Sequence, residues 1–296
     1  MRSVIIYPEK DRYILKRIFK IFNSQNLKVD ACTIDSSWTL PYLSALSEVL
    51  DGYSHLFIVL SSENLNDGWF LNLLGYIKGS KKESFFYFTE DNGNNDQFFA
   101  KFNVGHNYND VLLYAEEESI RWENVQRKDI ARNYLIDMGF ALTEDAMGEC
   151  VVAGQQDVVQ NYIDAGYTSS CRNSKGVPML CLAVRSNHID IIKYLIDNGA
   201  DINAISDDRH NTPIMDAASK GLLDAIQILV NEGADLECQS KNGQTALILA
   251  VGHGDVEVSN YLLSVGANYM NKDLLGMSAK SYATLFNKKE ILRNMP

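Results

Sequence analysis

Ile191-Ile192-Lys193-Tyr194-Leu195-Ile196-Asp197-Asn198-Gly199-Ala200-Asp201-Ile202-Asn203-Ala204 sets the architecture of the second half of this chain. Ile191, Ile192, Leu195 and Ile196 recur at i, i+1, i+4 and i+5, the spacing of one buried helix face. Gly199 then ends the helix, because a left-handed residue after the cap carries no penalty for glycine. The phrase returns as Ala225-Ile226-Gln227-Ile228-Leu229-Val230-Asn231-Glu232-Gly233-Ala234-Asp235 and as Val258-Ser259-Asn260-Tyr261-Leu262-Leu263-Ser264-Val265-Gly266-Ala267-Asn268. A weaker copy, Val158 to Gly166, precedes all three. The closing glycines Gly166, Gly199, Gly233 and Gly266 thus fall 33, 34 and 33 residues apart. Such a period is an internal repeat.

A second helix start lies upstream of each closing phrase, as Thr212-Pro213-Ile214-Met215-Asp216-Ala217-Ala218 and Thr245-Ala246-Leu247-Ile248-Leu249-Ala250-Val251. Threonine is a good N-cap, and proline suits the first helical position, whose N–H has no partner in any case. Period, Thr-Pro start and Gly-Ala-Asp ending together resemble the ankyrin repeat, from residue 142 to 296. The resemblance implies an all-α solenoid of paired helices and hairpins that binds a protein on its concave face. No histidine follows the Thr-Pro-like start, since Cys181, Met215 and Ile248 stand there. Repeats are expected at 142–175, 176–208, 209–242 and 243–275, with 276–296 as a C-terminal cap.

Composition bounds the rest. The length of 296 residues gives room for two domains, and 46% apolar residues can fill both cores. Lys and Arg number 27 against 38 Asp and Glu, a net charge of −11, which repels nucleic acid and anionic lipid. The five cysteines (Cys32, Cys150, Cys171, Cys181, Cys238) form no metal-ligand pattern, and their odd count suits a reducing compartment. The first ten residues hold an apolar run too short for a secretory signal, and no stretch is apolar enough to span a membrane. A cytoplasmic protein without cofactor or membrane contact is expected.

Strand and helix alternate through the first 115 residues, the pattern of a parallel sheet covered on both faces. Strands are expected at 3–7, 26–32, 55–60, 84–88 and 111–114. Helices are expected at 11–25, around Leu43 to Leu50, and from Trp69 to a closing Gly79. Thr89 to Asp96 reads as an exposed loop. A bridging helix is expected over 116–141, ahead of the repeats.

Tyr7-Pro8-Glu9-Lys10-Asp11 after the first strand holds no glycine-rich phosphate loop, and Ser61 stands where a receiver domain needs an aspartate. Leu56-Phe57-Ile58-Val59-Leu60-Ser61-Ser62-Glu63-Asn64-Leu65-Asn66-Asp67-Gly68-Trp69-Phe70, with Tyr7 and the loop around Asp35, resembles the Toll/interleukin-receptor (TIR) domain over residues 1–115. The resemblance implies a flavodoxin-like five-stranded sheet that self-associates. Members that cleave NAD carry a catalytic Glu four residues after the tryptophan; here that position is Leu73. A glycosidic cleavage needs a carboxylate against the positive charge developing on the ribose, and leucine supplies none. Glu63 reads as a solvated loop residue rather than a displaced acid. The five histidines include no pair at metal-ligand spacing.

Transferred in register, the recognition positions that the ankyrin resemblance implies are Lys175, Val177, Arg185 and Ser186 in the second repeat. In the third they are Asp208, Arg209, Asn211, Ser219 and Lys220, and in the fourth Lys241, Asn242, Gln244, Gly252 and His253. Five are Lys or Arg and one is acidic, so a basic groove selecting an acidic protein segment is expected. The function expected is a non-enzymatic interaction or signalling adaptor. The alternatives are a TIR-type NAD hydrolase or a nucleotide-sensing TIR-like domain, either regulated by the repeats.

Overall fold

A computed structural model describes residues 2–34, 40–61, 65, 67–80, 82–89, 99 and 101–295. The chain divides into two compact units, Met1–Gln126 and Arg127–Pro296.

In the first unit, β1 (Ser3–Pro8), α1 (Arg12–Ser24), β2 (Val29–Ile34), α2 (Leu40–Leu50), β3 (His55–Leu60), α3 (Gly68–Ser80), β4 (Glu83–Phe88), β5 (Asn103–Gly105) and the first part of α4 (Tyr108–Asp137), which continues into the second unit, follow in chain order. All strands are parallel and lie in the order β2-β1-β3-β4-β5. Register sets Ser3 beside His55 and His55 beside Glu83. β1 is buried along its whole length, as an unbroken apolar strand in a doubly covered sheet must be. The pleat divides its side chains: Val4 and Ile6 pack with Trp69, Phe70 and Leu73 of α3, whereas Ile5 and Tyr7 pack with Ile14, Ile18 and Phe22 of α1.

Several expected boundaries shift. β5 is Asn103–Gly105, and Val111 to Tyr114 form the first turns of α4 instead. A four-residue apolar run fits a strand or a helix equally by periodicity. Here Asn107 Oδ1 accepts from the backbone N–H groups of Asn109 (2.8 Å) and Asp110 (3.2 Å), starting a helix that buries Val111, Tyr114 and Ala115 at i, i+3 and i+4. The helix expected from residue 116 therefore begins at Tyr108 and runs 30 residues. β2 starts at Val29 because Asn26 takes a left-handed φ of 60° after α1, and Gly79 lies inside α3 rather than beyond it. α4 also carries Glu118 into the interior, only 1% exposed, where it pairs with His55 Nε2 at 2.9 Å and Arg121 Nη1 at 2.6 Å. Asp35, Trp38, Glu63 and most of the stretch from Thr89 to Asp96 lie outside the described residues.

The second unit is a run of helix pairs: α5 (Glu144–Ala153) with α6 (Gln156–Asp164), α7 (Met179–Arg185) with α8 (Ile189–Asp197), α9 (Pro213–Ala218) with α10 (Leu223–Asn231), α11 (Ala246–His253) with α12 (Val256–Ser264), and α13 (Ala279–Leu285) with α14 (Lys289–Leu292). The stretch expected as a cap is thus a fifth pair with a four-residue second helix. Of the two caps expected, Thr245 accepts the N–H of the residue three on, as do Thr143 and Ser278, whereas the Thr212 side chain makes no cap bond. Ala183, Ala217, Ala250 and Ala283 are fully buried, so the first helices meet over small side chains.

Each longer second helix closes in the same way. Gly199 takes φ 83°; its N–H bonds Ile196 O at 2.8 Å and that of Ala200 bonds Leu195 O at 2.9 Å, the paired bonds of a Schellman ending. Gly166, Gly233 and Gly266 repeat it. A Cβ at Gly199 would meet nothing within 4 Å, whereas one at Gly243 (φ 76°) would stand 2.9 Å from the backbone nitrogen of Leu274. Gly199→Ala should therefore lose about 1–2 kcal/mol of stability from the left-handed backbone alone. Gly243→Ala should lose clearly more. Urea denaturation of both variants beside the wild type measures the difference.

Candidate functional site

Between helix pairs the chain turns through hairpin tips at residues 173–176, 207–210, 240–243 and 273–276. Their last residues, Gly176, His210, Gly243 and Gly276, have φ between 57° and 76°. Two junctions are closed by backbone bonds between neighbouring tips, Asp207 N–H to Gly176 O (3.1 Å) and Leu274 N–H to Asn242 O (3.0 Å). Side chains fix the tips from within. Asn173 Oδ1 accepts from the N–H groups of Lys175 and Val177, and Asp273 Oδ1 accepts from those of Leu275 and Met277. Tyr282 donates its hydroxyl to Asp273 Oδ2 at 2.7 Å.

The expected recognition residues separate into three groups. Lys175, Asp208, Arg209, Lys241 and Asn242 are exposed on the tips, and Lys220, Gly252 and His253 are exposed at the ends of the first helices. Ser186, Ser219 and Gln244 are half-buried. Val177 is 3% exposed and Asn211 7%, so both hold the hairpin from inside and present nothing to a partner.

Arg185 departs most from the expectation of an open basic groove. Its Nη1 and Nη2 bind both oxygens of Asp208 at 2.7 and 3.0 Å, Nη2 also donates to Ser206 Oγ at 3.0 Å, and Nε bonds Asp216 Oδ2. Asp216 is 1% exposed, and Asn211 Nδ2 donates to its other oxygen at 2.8 Å. One guanidinium thus answers two carboxylates, and its charge is spent inside the array. Lys220 is tied to the same place, Nζ donating to Arg185 O at 2.7 Å. Asp207 pairs with Arg172 at 3.4 Å. Lys175, Arg209 and Lys241 have no side-chain hydrogen bond or ion pair among the described residues.

The fifth helix pair carries residues that the sequence analysis passed over. In register with the other tips stand Leu274 and Leu275, 77% and 81% exposed, and after Ala283 come Leu285 and Phe286, 67% and 47% exposed. The register was available from Ser278, which caps α13 as Thr245 caps α11.

In the first unit, Leu73 is 3% exposed and packs in the core with Trp69, Phe70 and Phe86, so α3 points an apolar side chain where a catalytic carboxylate was considered. Trp69 Nε1 donates to Asp67 Oδ2 at 3.0 Å. Among the described residues no group of three or more His, Cys, Asp or Glu could hold a metal ion, and no helix is long and apolar enough to cross a membrane.

The family model for ankyrin repeats, in three copies, matches residues 147–240 and 214–295. An ankyrin repeat-containing protein of Treponema pallidum (strain Nichols) is 30% identical over 298 residues, covering 97% of this chain and 97% of that protein. A transient receptor potential cation channel subfamily A member 1 homolog of Caenorhabditis elegans is 29% identical over 151 residues, 51% of this chain and 12% of the relative. Ankyrin repeat and SAM domain-containing protein 6 of Mus musculus is 33% identical over 112 residues, 37% of this chain and 13% of the relative.

The arginine pairing makes a pH prediction. Its hydrogen bonds from Arg185 hold the Asp208 carboxyl down at about 2, against an ordinary 3.8. A depressed carboxyl stabilises the fold fully above its unfolded value, and the contribution disappears as pH falls from about 3.8 through about 2. Asp208→Asn should flatten the pH dependence of stability in that window. Arg185→Ala leaves Asp216 charged and buried without its cation, which costs about 3 kcal/mol at neutral pH. Denaturation followed as a function of pH measures both.

Proposed function

The chain belongs to the ankyrin-repeat family, and from that premise we propose that its solenoid holds an acidic segment of a protein partner along the row of hairpin tips. The observation that carries this is the disposition of charge on the tips. Asp207 and Asp208 are engaged by Arg172 and Arg185, whereas Lys175, Arg209 and Lys241 stand exposed. Cations of one sign along a shared face reinforce one another over a Debye length of about 8 Å at physiological salt. They do so in a protein of net charge −11, whose other surfaces repel the same partner. Arg185 is left out of the binding set, because its charge is already answered.

The first unit serves as a non-catalytic signalling or self-association domain of TIR-like type. Support comes from the strand order β2-β1-β3-β4-β5, the order of flavodoxin-like sheets, and from Leu60-Ser61 leading to Trp69 at the start of α3. Five free thiols fit a cytoplasmic protein.

Peptide display against the full chain tests the partner's character: Asp- and Glu-rich sequences should be enriched. The triple variant Lys175→Glu/Arg209→Glu/Lys241→Glu should lose them, and salt should slow association more than it speeds dissociation. Enrichment without acidic bias would refute the charge reading. For the first unit, incubation with NAD should release no nicotinamide above the protein-free rate, and turnover that survives repurification would overturn the non-catalytic assignment.

A further inference from the structure

The fifth helix pair breaks the chemistry of the other tips. Where the second, third and fourth tips carry Ser174-Lys175, Asp208-Arg209 and Lys241-Asn242, the fifth carries Leu274-Leu275. Where the first helices of those pairs end in Arg185-Ser186, Ser219-Lys220 and Gly252-His253, α13 ends in Leu285-Phe286. All four apolar side chains are at least 47% exposed. Leu285 also lines a hollow of about 470 Å³ with Met270, Met277 and Thr284, its other walls being Ser278, Lys280 and Ser281.

A cluster of large exposed apolar residues on a protein surface marks an interaction site. The short second helix of the same pair, by contrast, is preceded and opened by the charged residues Lys288, Lys289 and Glu290. The leucines are also held in place. Asp273 accepts the N–H of Leu275 at 2.9 Å, Leu274 N–H bonds the preceding tip, and Tyr282 fixes Asp273 from the neighbouring helix. An anchor that is rigid before binding loses little conformational freedom on binding.

We propose that the partner segment is bipartite: an acidic stretch lies over Lys175, Arg209 and Lys241, and bulky aliphatic or aromatic side chains continuous with it seat on Leu274, Leu275, Leu285 and the adjoining hollow. The inference rests on the acidic-partner reading and adds to it a direction and a second chemistry. Charge complementarity on the three preceding tips identifies the occupant. A purely apolar partner would leave those cations unanswered, and a purely acidic one would leave the leucines wet. The acidic stretch brings the segment in quickly, while the apolar anchors govern how long it stays.

Fluorescein-labelled synthetic peptides test this on the full-length chain by anisotropy. One carries acidic residues spaced by Gly and Ser, two more add a Leu-Phe pair at either end, and a fourth carries the Leu-Phe pair alone. One of the two bipartite peptides should bind at least tenfold tighter than the acidic peptide, about 1.4 kcal/mol, and the other should not. Leu275→Gln/Leu285→Gln, which adds no charge, should erase that gain and leave acidic-peptide binding unchanged; both sites are exposed, so folding is spared. Lys175→Glu/Arg209→Glu/Lys241→Glu should abolish binding of both. If the acidic peptide binds and neither bipartite peptide gains, this inference fails while the acidic-partner reading stands. If no acidic peptide binds, both fail. If light scattering shows a dimer that Leu275→Gln/Leu285→Gln dissociates, and no peptide gains, the patch joins two copies of this chain and the inference is overturned.

Discussion

Every pair in the solenoid whose second helix runs a full nine residues has to reverse direction immediately after it, and it does so through one residue with positive φ. The constraint is local and steric. With a side chain, that residue would push Cβ towards the following carbonyl, and the two Schellman bonds would have to form against strain. Because Gly166, Gly199, Gly233 and Gly266 meet it without strain, each chain segment leaves its helix in the same direction, and successive tips are delivered into one row. The tip-to-tip bonds and the stacked alanines of the first helices depend on that repeated exit. Binding chemistry is then a matter of which side chains the row carries, largely independent of what builds it.

Local constraints of this kind are legible in a sequence, which is why the repeat period, the helix starts after Thr212 and Thr245, and the parallel sheet follow from residues alone. What was not legible depends on partners far along the chain. Arg185 reads as an open cation because the carboxylates that bind it lie 23 and 31 residues on. Val177 and Asn211 occupy surface positions by register, but the hairpin turns them inward. The displaced fifth strand has a different cause. Val111 to Tyr114 satisfies two periodicities, and the deciding evidence was an Asn107 cap outside the apolar run. The apolar tip of the fifth pair was legible, and only the label of cap kept it from view.

The two units handle buried charge alike. Glu118 on α4 meets His55 and Arg121, and Asp216 on α9 meets Arg185 and Asn211, so each nearly inaccessible carboxylate has a cationic group and a further donor. Such groups add little net stability over well-packed apolar residues, but they make alternative packings costly, since any shift leaves a charge without its counterpart. In the sheet unit the His55 contact joins α4 to β3, beside the apolar burial of Val111, Tyr114 and Ala115. In the solenoid the Arg185 contact fixes one helix pair against the next.

The Arg185 cluster also bears on how such an array can change over evolutionary time. Repeat proteins grow and shrink by duplication and loss of whole units, which is tolerated where neighbouring units are interchangeable. Arg185 belongs to the second unit, whereas Asp208 and Asp216 belong to the third, and the bond set has no counterpart at the other junctions. A unit inserted at this junction would strand an arginine on one side and a buried aspartate on the other. Separating the second repeat from the third is therefore costly, whereas the junction of the fourth and fifth pairs, joined by the Leu274 N–H to Asn242 O bond, holds no buried ion pair that an added unit would strand.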